Sequence, residues 1–224
     1  MATTEGLRKI GAFLVCVILL GCLSSRAAEI IPPREICNDE ADRFLAAGEW
    51  QKTIDLHQQI IQQTPNVALA HYHLGIAYGE IDQYDQEVSE YRKAIFLGLK
   101  KADLYDNLGI VLGENYHEYP AAIAAFKEAV DLKPTEAEFH YNLGFAYLLN
   151  KEEESAEREL RETLRIAPTY FQARISLGIL YAGQRKLEKA KREWEEVLKI
   201  DPSNAEALVN LKWLEREGEH HDVQ

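Results

Sequence analysis

One short core recurs four times in this chain: His71-x2-Leu74-Gly75-x2-Tyr78, Tyr105-x2-Leu108-Gly109-x2-Leu112, His140-x2-Leu143-Gly144-x2-Tyr147 and Arg174-x2-Leu177-Gly178-x2-Tyr181. Its glycines stand 34, 35 and 34 residues apart. That period constrains the fold more tightly than composition does. A unit this short cannot bury its own hydrophobic face, so it must stack on copies of itself. The product is an extended surface suited to being gripped, not a pocket suited to chemistry.

With the glycine at position 8, units begin at Arg34, Ala68, Ala102, Ala137 and Phe171. Each unit reads as two helices. The first carries the Leu-Gly core. The second carries a stripe at i, i+4 and i+7: Ala122, Phe126, Ala129; Ala156, Leu160, Thr163; Ala190, Trp194, Val197. A small residue at position 8 admits a close partner helix, and the large stripe residue fills the gap beside it. Pro65, Pro168 and Pro202 fall at position 32, as does Pro134 once the one residue inserted in the Glu114–Pro120 turn of unit three is allowed for, and there the missing N–H and the ring clash end the second helix.

These positions resemble the tetratricopeptide repeat. The resemblance implies an all-α, right-handed superhelical solenoid of antiparallel helix pairs, with five repeats at 34–67, 68–101, 102–136, 137–170 and 171–204. Ala205, Leu208 and Leu211 begin a sixth unit that has no second helix, so 205–217 reads as a solvating cap helix, with Trp213 over unit five, and 218–224 as a disordered tail. Departures are few. Unit one has Ala41, Thr53 and His57 at core positions, as suits an end repeat. Unit two has Leu99 for the proline and Glu87 for a small core residue. Glu87 is expected to reach water through loosened packing, or else to line a binding feature.

In that family the first helices line a concave groove. Position 6 is polar in every unit: Asp39, His73, Asn107, Asn142, Ser176 and Asn210. Asn107 and Asn142 resemble an asparagine ladder, whose amides match a peptide's donor and acceptor. Around them the expected peptide-binding groove comprises Leu69, Tyr72, His73 and Ile76, then Ile110, then Tyr141 and Phe145, then Ile175, Ser176 and Ile179, with negative charge from Asp103, Asp106, Glu114 and Glu138. The paired lysine or arginine with which some relatives clamp a terminal carboxylate is absent at positions 2 and 5. The expected partner is therefore a protein segment with apolar anchors and basic character, and its hot spots are the aromatic residues.

The rest of the sequence excludes more than it adds. The formal net charge is -12. Glu5 against Arg8, Lys9 and Arg26 leaves residues 1–28 at +2 and the remainder at -14, which repels phosphate backbones and argues against nucleic acid. There is no glycine-rich phosphate loop and no nucleophile motif, so an enzyme is not expected, and neither is a cofactor. No metal is expected either. His71 and His73 are two apart on a helix and face apart, His71 and His140 occupy a packing position, and His220-His221 lack supporting groups.

Arg8-Lys9 followed by the 14-residue apolar run Ile10–Leu23 reads as an export segment within 1–28, too short for the roughly 20 residues of a spanning helix. Three routes stay open: lipidation at Cys22 in Leu19-Leu20-Gly21-Cys22, which resembles a bacterial lipobox with an unusual Leu20; cleavage after Ser25-x-Ala27 or near Ala27-Ala28; or an uncleaved anchor. Each puts the protein outside the cytoplasm, in the periplasm, with possible attachment to the membrane. Cys37 is then left alone in the mature chain, as a small buried apolar residue, and no internal disulfide is possible. The sequence thus describes an adaptor in envelope assembly. Its alternatives are a self-associating unit forming homo-oligomers and a regulatory subunit of an envelope enzyme. On the lipobox route, metabolic palmitate labelling is expected and disappears in Cys22→Ser; label that persists in the variant removes that route.

Overall fold

The computed structural model describes residues 37–221; the export segment, Cys22 and residues 222–224 lie outside the described residues. The eleven described helices are α1 Asp39–Ala46, α2 Trp50–Gln63, α3 Ala68–Gly79, α4 Tyr84–Phe96, α5 Ala102–Glu114, α6 Tyr119–Leu132, α7 Ala137–Leu149, α8 Glu153–Ile166, α9 Phe171–Gly183, α10 Leu187–Ile200 and α11 Ala205–His221. From α1 to α5, and again from α6 to α11, successive helices pack on one another, and the described residues are all-α. None is long and apolar enough to cross a membrane. The chain divides after His117 into two compact units.

The first unit holds α1 to α5. Asn38 caps α1, its Oδ1 accepting from the N–H groups of Glu40 and Ala41 at 3.0 and 3.1 Å. In α3 and α4 the reason for the position-8 glycine is direct: a Cβ on Gly75 would lie 2.5 Å from the Tyr91 ring. Leu74 and Ala77 of α3 pack on Ile54 of α2 to form a core that Trp50, Ile61, Tyr78 and Ile81 border. Ala41, Thr53 and His57, the departures of unit one, are all fully buried.

Two features of this unit differ from expectation. Glu87 does not reach water: it is fully buried, and its carboxyl lies where a Cβ of Gly79 would be, 2.7 Å away. A glycine on α3 thus makes room for an oversized residue on α4. Without a proline at Leu99, α4 instead stops at Phe96, with Gly98 in the left-handed region at φ +90°.

The second unit holds α6 to α11. Gly178 admits Trp194, whose indole N–H donates to the Ile175 carbonyl at 3.2 Å and fills the space a Cβ would need. Gly144 stands likewise against Leu160. α6, α8 and α10 each stop two residues short of Pro134, Pro168 or Pro202, with the residue before the proline extended. α11 runs through Gly218 to His221, so the segment expected to be a frayed tail from 218 is helical at its start. It is also less solvating than a cap should be, since Leu208 and Val209 are exposed.

Between the two helices of each repeat, residues 48, 82, 117, 151 and 185 all take positive φ, and all but Gly48 carry side chains. The turn bonds recur with them: Gln83 N–H donates to the Tyr78 carbonyl, Glu152 to Tyr147 and Lys186 to Tyr181, each at 2.9 Å. This left-handed helix stop is set by the path of the chain rather than by residue type. Gly178→Ala is expected to cost about 2–3 kcal/mol, because Trp194 must leave both its slot and its hydrogen bond; chemical denaturation measures it, and a loss under about 0.5 kcal/mol would contradict the packing described.

Candidate functional site

The first helices of the repeats carry the residues expected to face a ligand, and burial sorts them. In the first unit, Leu69 and Ile76 on α3 and Asn107 and Ile110 on α5 are half-buried, with part of each side chain open to solvent. Tyr72 and His73 are buried. The Tyr72 ring sits 6.0 Å from that of Tyr91 and 5.7 Å from that of His73, under the Lys101 ammonium. Asp106 is buried as well and does not front the surface.

In the second unit Asn142 and Phe145 on α7 and Ile179 on α9 are half-buried, whereas Tyr141, Ile175 and Ser176 are buried. Tyr141 stacks on Phe145 at 5.9 Å and leans on Tyr170 at 5.1 Å, so its bulk belongs to the scaffold. Position 6 therefore splits in two. Asn107 and Asn142 retain access to solvent, while His73, Ser176 and Asn210 are packed in.

Position 4 shows a recurring clasp. His71 Nδ1–H donates to Glu90 Oε2 at 2.5 Å, and its Nε2–H donates to the Pro65 carbonyl at 3.1 Å. His140 repeats the pattern with Glu159 at 2.9 Å and the Pro134 carbonyl at 3.1 Å. Arg174 does the same with Glu193 and the Pro168 carbonyl, at 3.2 and 3.5 Å. A carboxylate and a carbonyl thus face the two ring nitrogens of each histidine, and the same two groups face the guanidinium of Arg174. The clasp ties first helix, second helix and the closing proline of the previous repeat. Both histidines are structural, as their position implies.

A second histidine cluster was not legible in the sequence. Asp42 on α1, His57 on α2 and His73 on α3 meet in the interior of the first unit. His57 Nδ1–H donates to the Thr53 carbonyl at 2.8 Å, which turns its Nε2 towards His73 Nδ1 at 3.2 Å. Asp42 Oδ1 lies 3.0 Å from His73 Nδ1 and 3.9 Å from His57 Nε2. Its Oδ2 accepts from the N–H groups of Cys37 and Asn38 at 2.9 and 3.4 Å. Burial, helped by the nearby His73, lowers the His57 pKa to about 4. Burial pushes Asp42 the other way, but the adjoining His73 and the two N–H groups outweigh it and hold the carboxyl below its usual range. His73 and His71 do face apart, but His73 faces two other ligand-bearing residues, and the expectation of no metal site did not consider these. His57 in an aromatic position was the one available signal.

Cys37 is half-buried rather than buried, and its thiol is pushed up to about 11 by burial and by the Asp42 charge, which leaves it unreactive. Arrangements of this kind supply packing, hydrogen bonding and ligand atoms; among the described residues they do not include a nucleophile held by a base.

Comparison with known proteins agrees with the fold. Residues 118–151 match a family profile described as TPR repeat, and residues 137–170 one described as Tetratricopeptide repeat. Among solved structures, YrrB, described as a TPR protein with an unusual peptide-binding site, is 22% identical with a TM-score of 0.73, covering 77% of this chain and 88% of its own. MamA is 25% identical with a TM-score of 0.69, covering 76% of this chain and 99% of its own. The human nuclear autoantigenic sperm protein is 28% identical over 95 residues, 42% of this chain. The matched part spans 11% of that relative's length.

One carboxyl has a consequence for stability. Glu206, in the first turn of α11, has its Oε1 buried without a hydrogen-bond partner, and burial raises its pKa to about 7. A folded pKa above the unfolded one means that stability is complete below about pH 4.5 and is lost as the pH rises to about 7. Glu206→Gln removes this loss. At pH 8 the variant is expected to be more stable than the natural chain by about 2 kcal/mol, after allowance for partial exposure, and at pH 4 the two should agree. Denaturant titrations at both pH values check it.

Proposed function

From a chain that carries tetratricopeptide repeats, a fold that supports protein–protein interaction, we propose a non-enzymatic scaffold that holds an extended segment of a protein partner against the first helices of its repeats. The observation that carries this reading is the half-buried face of those helices. Asn107 with Leu69, Ile76 and Ile110 forms it in one unit, and Asn142 with Phe145 and Ile179 in the other. Half-buried amides among apolar side chains suit a peptide backbone, because each offers a donor and an acceptor next to surface that gains from burial. The peptide site described for YrrB supports the reading by analogy.

The partner segment is apolar with basic character, since the chain is strongly acidic and lacks the cationic pair that would hold a terminal carboxylate. Nucleic acid is excluded as a partner on the same charge argument. The proposal sets this work in cell-envelope assembly, a reading supported by the apolar run Ile10–Leu23, with Cys22 as the point of membrane attachment on the lipobox route. A second reading, self-association, is favoured by the exposed Leu208 and Val209 on α11; light scattering of the chain should then show a dimer that Leu208→Glu abolishes.

Selection from a displayed library of random peptides tests the main reading. Enriched sequences should combine large apolar residues with lysine or arginine, and Asn107→Ala, Asn142→Ala or Phe145→Ala should each weaken their binding roughly 10-fold or more. Binding unchanged by all three substitutions, or enrichment of acidic tails, would overturn it.

A further inference from the structure

We propose that Asp42, His57 and His73 form a binding site for one divalent transition-metal ion of the zinc class. It does not depend on the peptide-binding reading, because the three side chains lie inside one unit and beneath its surface.

The geometry fits a metal without rearrangement of the helices. His57 Nε2, His73 Nδ1 and Asp42 Oδ1 are mutually 3.0, 3.2 and 3.9 Å apart. Ligands at the usual bond lengths of about 2.0–2.1 Å on tetrahedral zinc stand about 3.4 Å from each other, within the range of those separations. Three protein ligands leave the fourth position for water or a further donor.

Around these atoms the supporting contacts are already of the kind metal sites use. The second ring nitrogen of His57 donates to a backbone carbonyl, that of Thr53, which fixes the tautomer and aims Nε2 inward. The second carboxylate oxygen of Asp42 is held by two backbone N–H groups, which aims Oδ1 inward. Asp42 Oδ1 is itself buried, and what lies against it is His73 Nδ1 at 3.0 Å, in the place a metal ion would take between them. Binding needs the His73 tautomer with its proton on Nε2, whose Nδ1 lone pair is free to take the metal.

Two imidazoles and one carboxylate select among cations. The set is too poor in oxygen for calcium or magnesium, and it suits zinc, cobalt, nickel or copper. The three ligands come from three successive helices. A metal would therefore staple α1 to α2 and α3, and α1, at 8 residues, is the shortest of the described helices. A repeat with little apolar surface of its own would gain a bond where its neighbours have packing.

The test uses the full chain with the other soft ligands removed: Cys16, Cys22 and Cys37 changed to serine, and His220 and His221 to alanine. Zinc titration by calorimetry should give one equivalent, and cobalt should give the intense visible bands of a tetrahedral site. The thermal midpoint should rise with zinc and fall back with a chelator. In the same background Asp42→Asn, which keeps the shape, and His57→Gln should each weaken binding at least about 100-fold, with helicity by circular dichroism confirming that they fold. Where His57→Gln fails to fold, Asp42→Asn decides. Less than one equivalent in the parent, an octahedral cobalt spectrum, or affinity unchanged in Asp42→Asn would overturn the proposal.

Discussion

Everything in this protein rests on how closely the two helices of a repeat can approach. A glycine on the first helix faces a large side chain of the second: Gly75 against Tyr91, Gly144 against Leu160, Gly178 against Trp194. The contact is steric and leaves little slack, since a single Cβ would fall 2.5 Å from Tyr91 and 2.1 Å from Trp194. That closeness sets the register of the pair. Register in turn decides which side chains of the first helix are covered by the next repeat and which remain at the surface.

Polar groups secure what packing leaves loose. The histidine or arginine at position 4 reaches a carboxylate on its own second helix and the carbonyl of the proline that closed the repeat before it. Two contacts thus meet at one side chain, and in these three repeats the position is filled by histidine twice and arginine once. The first repeat uses another device. Its core positions hold Thr53 and His57 where the last three repeats hold alanine and a large apolar residue, and a carboxylate and two imidazoles occupy the interior.

Glu87 illustrates how a local violation is absorbed. A carboxyl in a core position ordinarily clashes or draws in water, yet here Gly79 on the facing helix leaves a space of the right size. The pair is separated by eight residues and belongs to two helices, so neither residue alone announces the arrangement. Turn geometry behaves in the same way. Asp82, His117, Lys151 and Arg185 adopt a backbone conformation that glycine would take more readily, because the Leu-Gly cores before them and the stripes after them leave the chain only one path.

Periodicity by itself determined the helix pairs, the packing glycines, the prolines that stop the second helices and the absence of a chemical motif. These follow from spacing along one chain direction, which a sequence displays in full. Only the tertiary structure decided which members of a polar or aromatic position reach the surface. Tyr72 and Tyr141 fill the interior while Asn107 and Asn142 stay partly open, although all four occupy positions expected to face a ligand. It also decided that Asp42, His57 and His73 meet. Contacts between residues 15 to 31 apart depend on the angle and depth at which helices pack, and on the size of every side chain between them. A repeat pattern records the scaffold that sets those angles; the identity of the residues brought together appears only once the chain is folded.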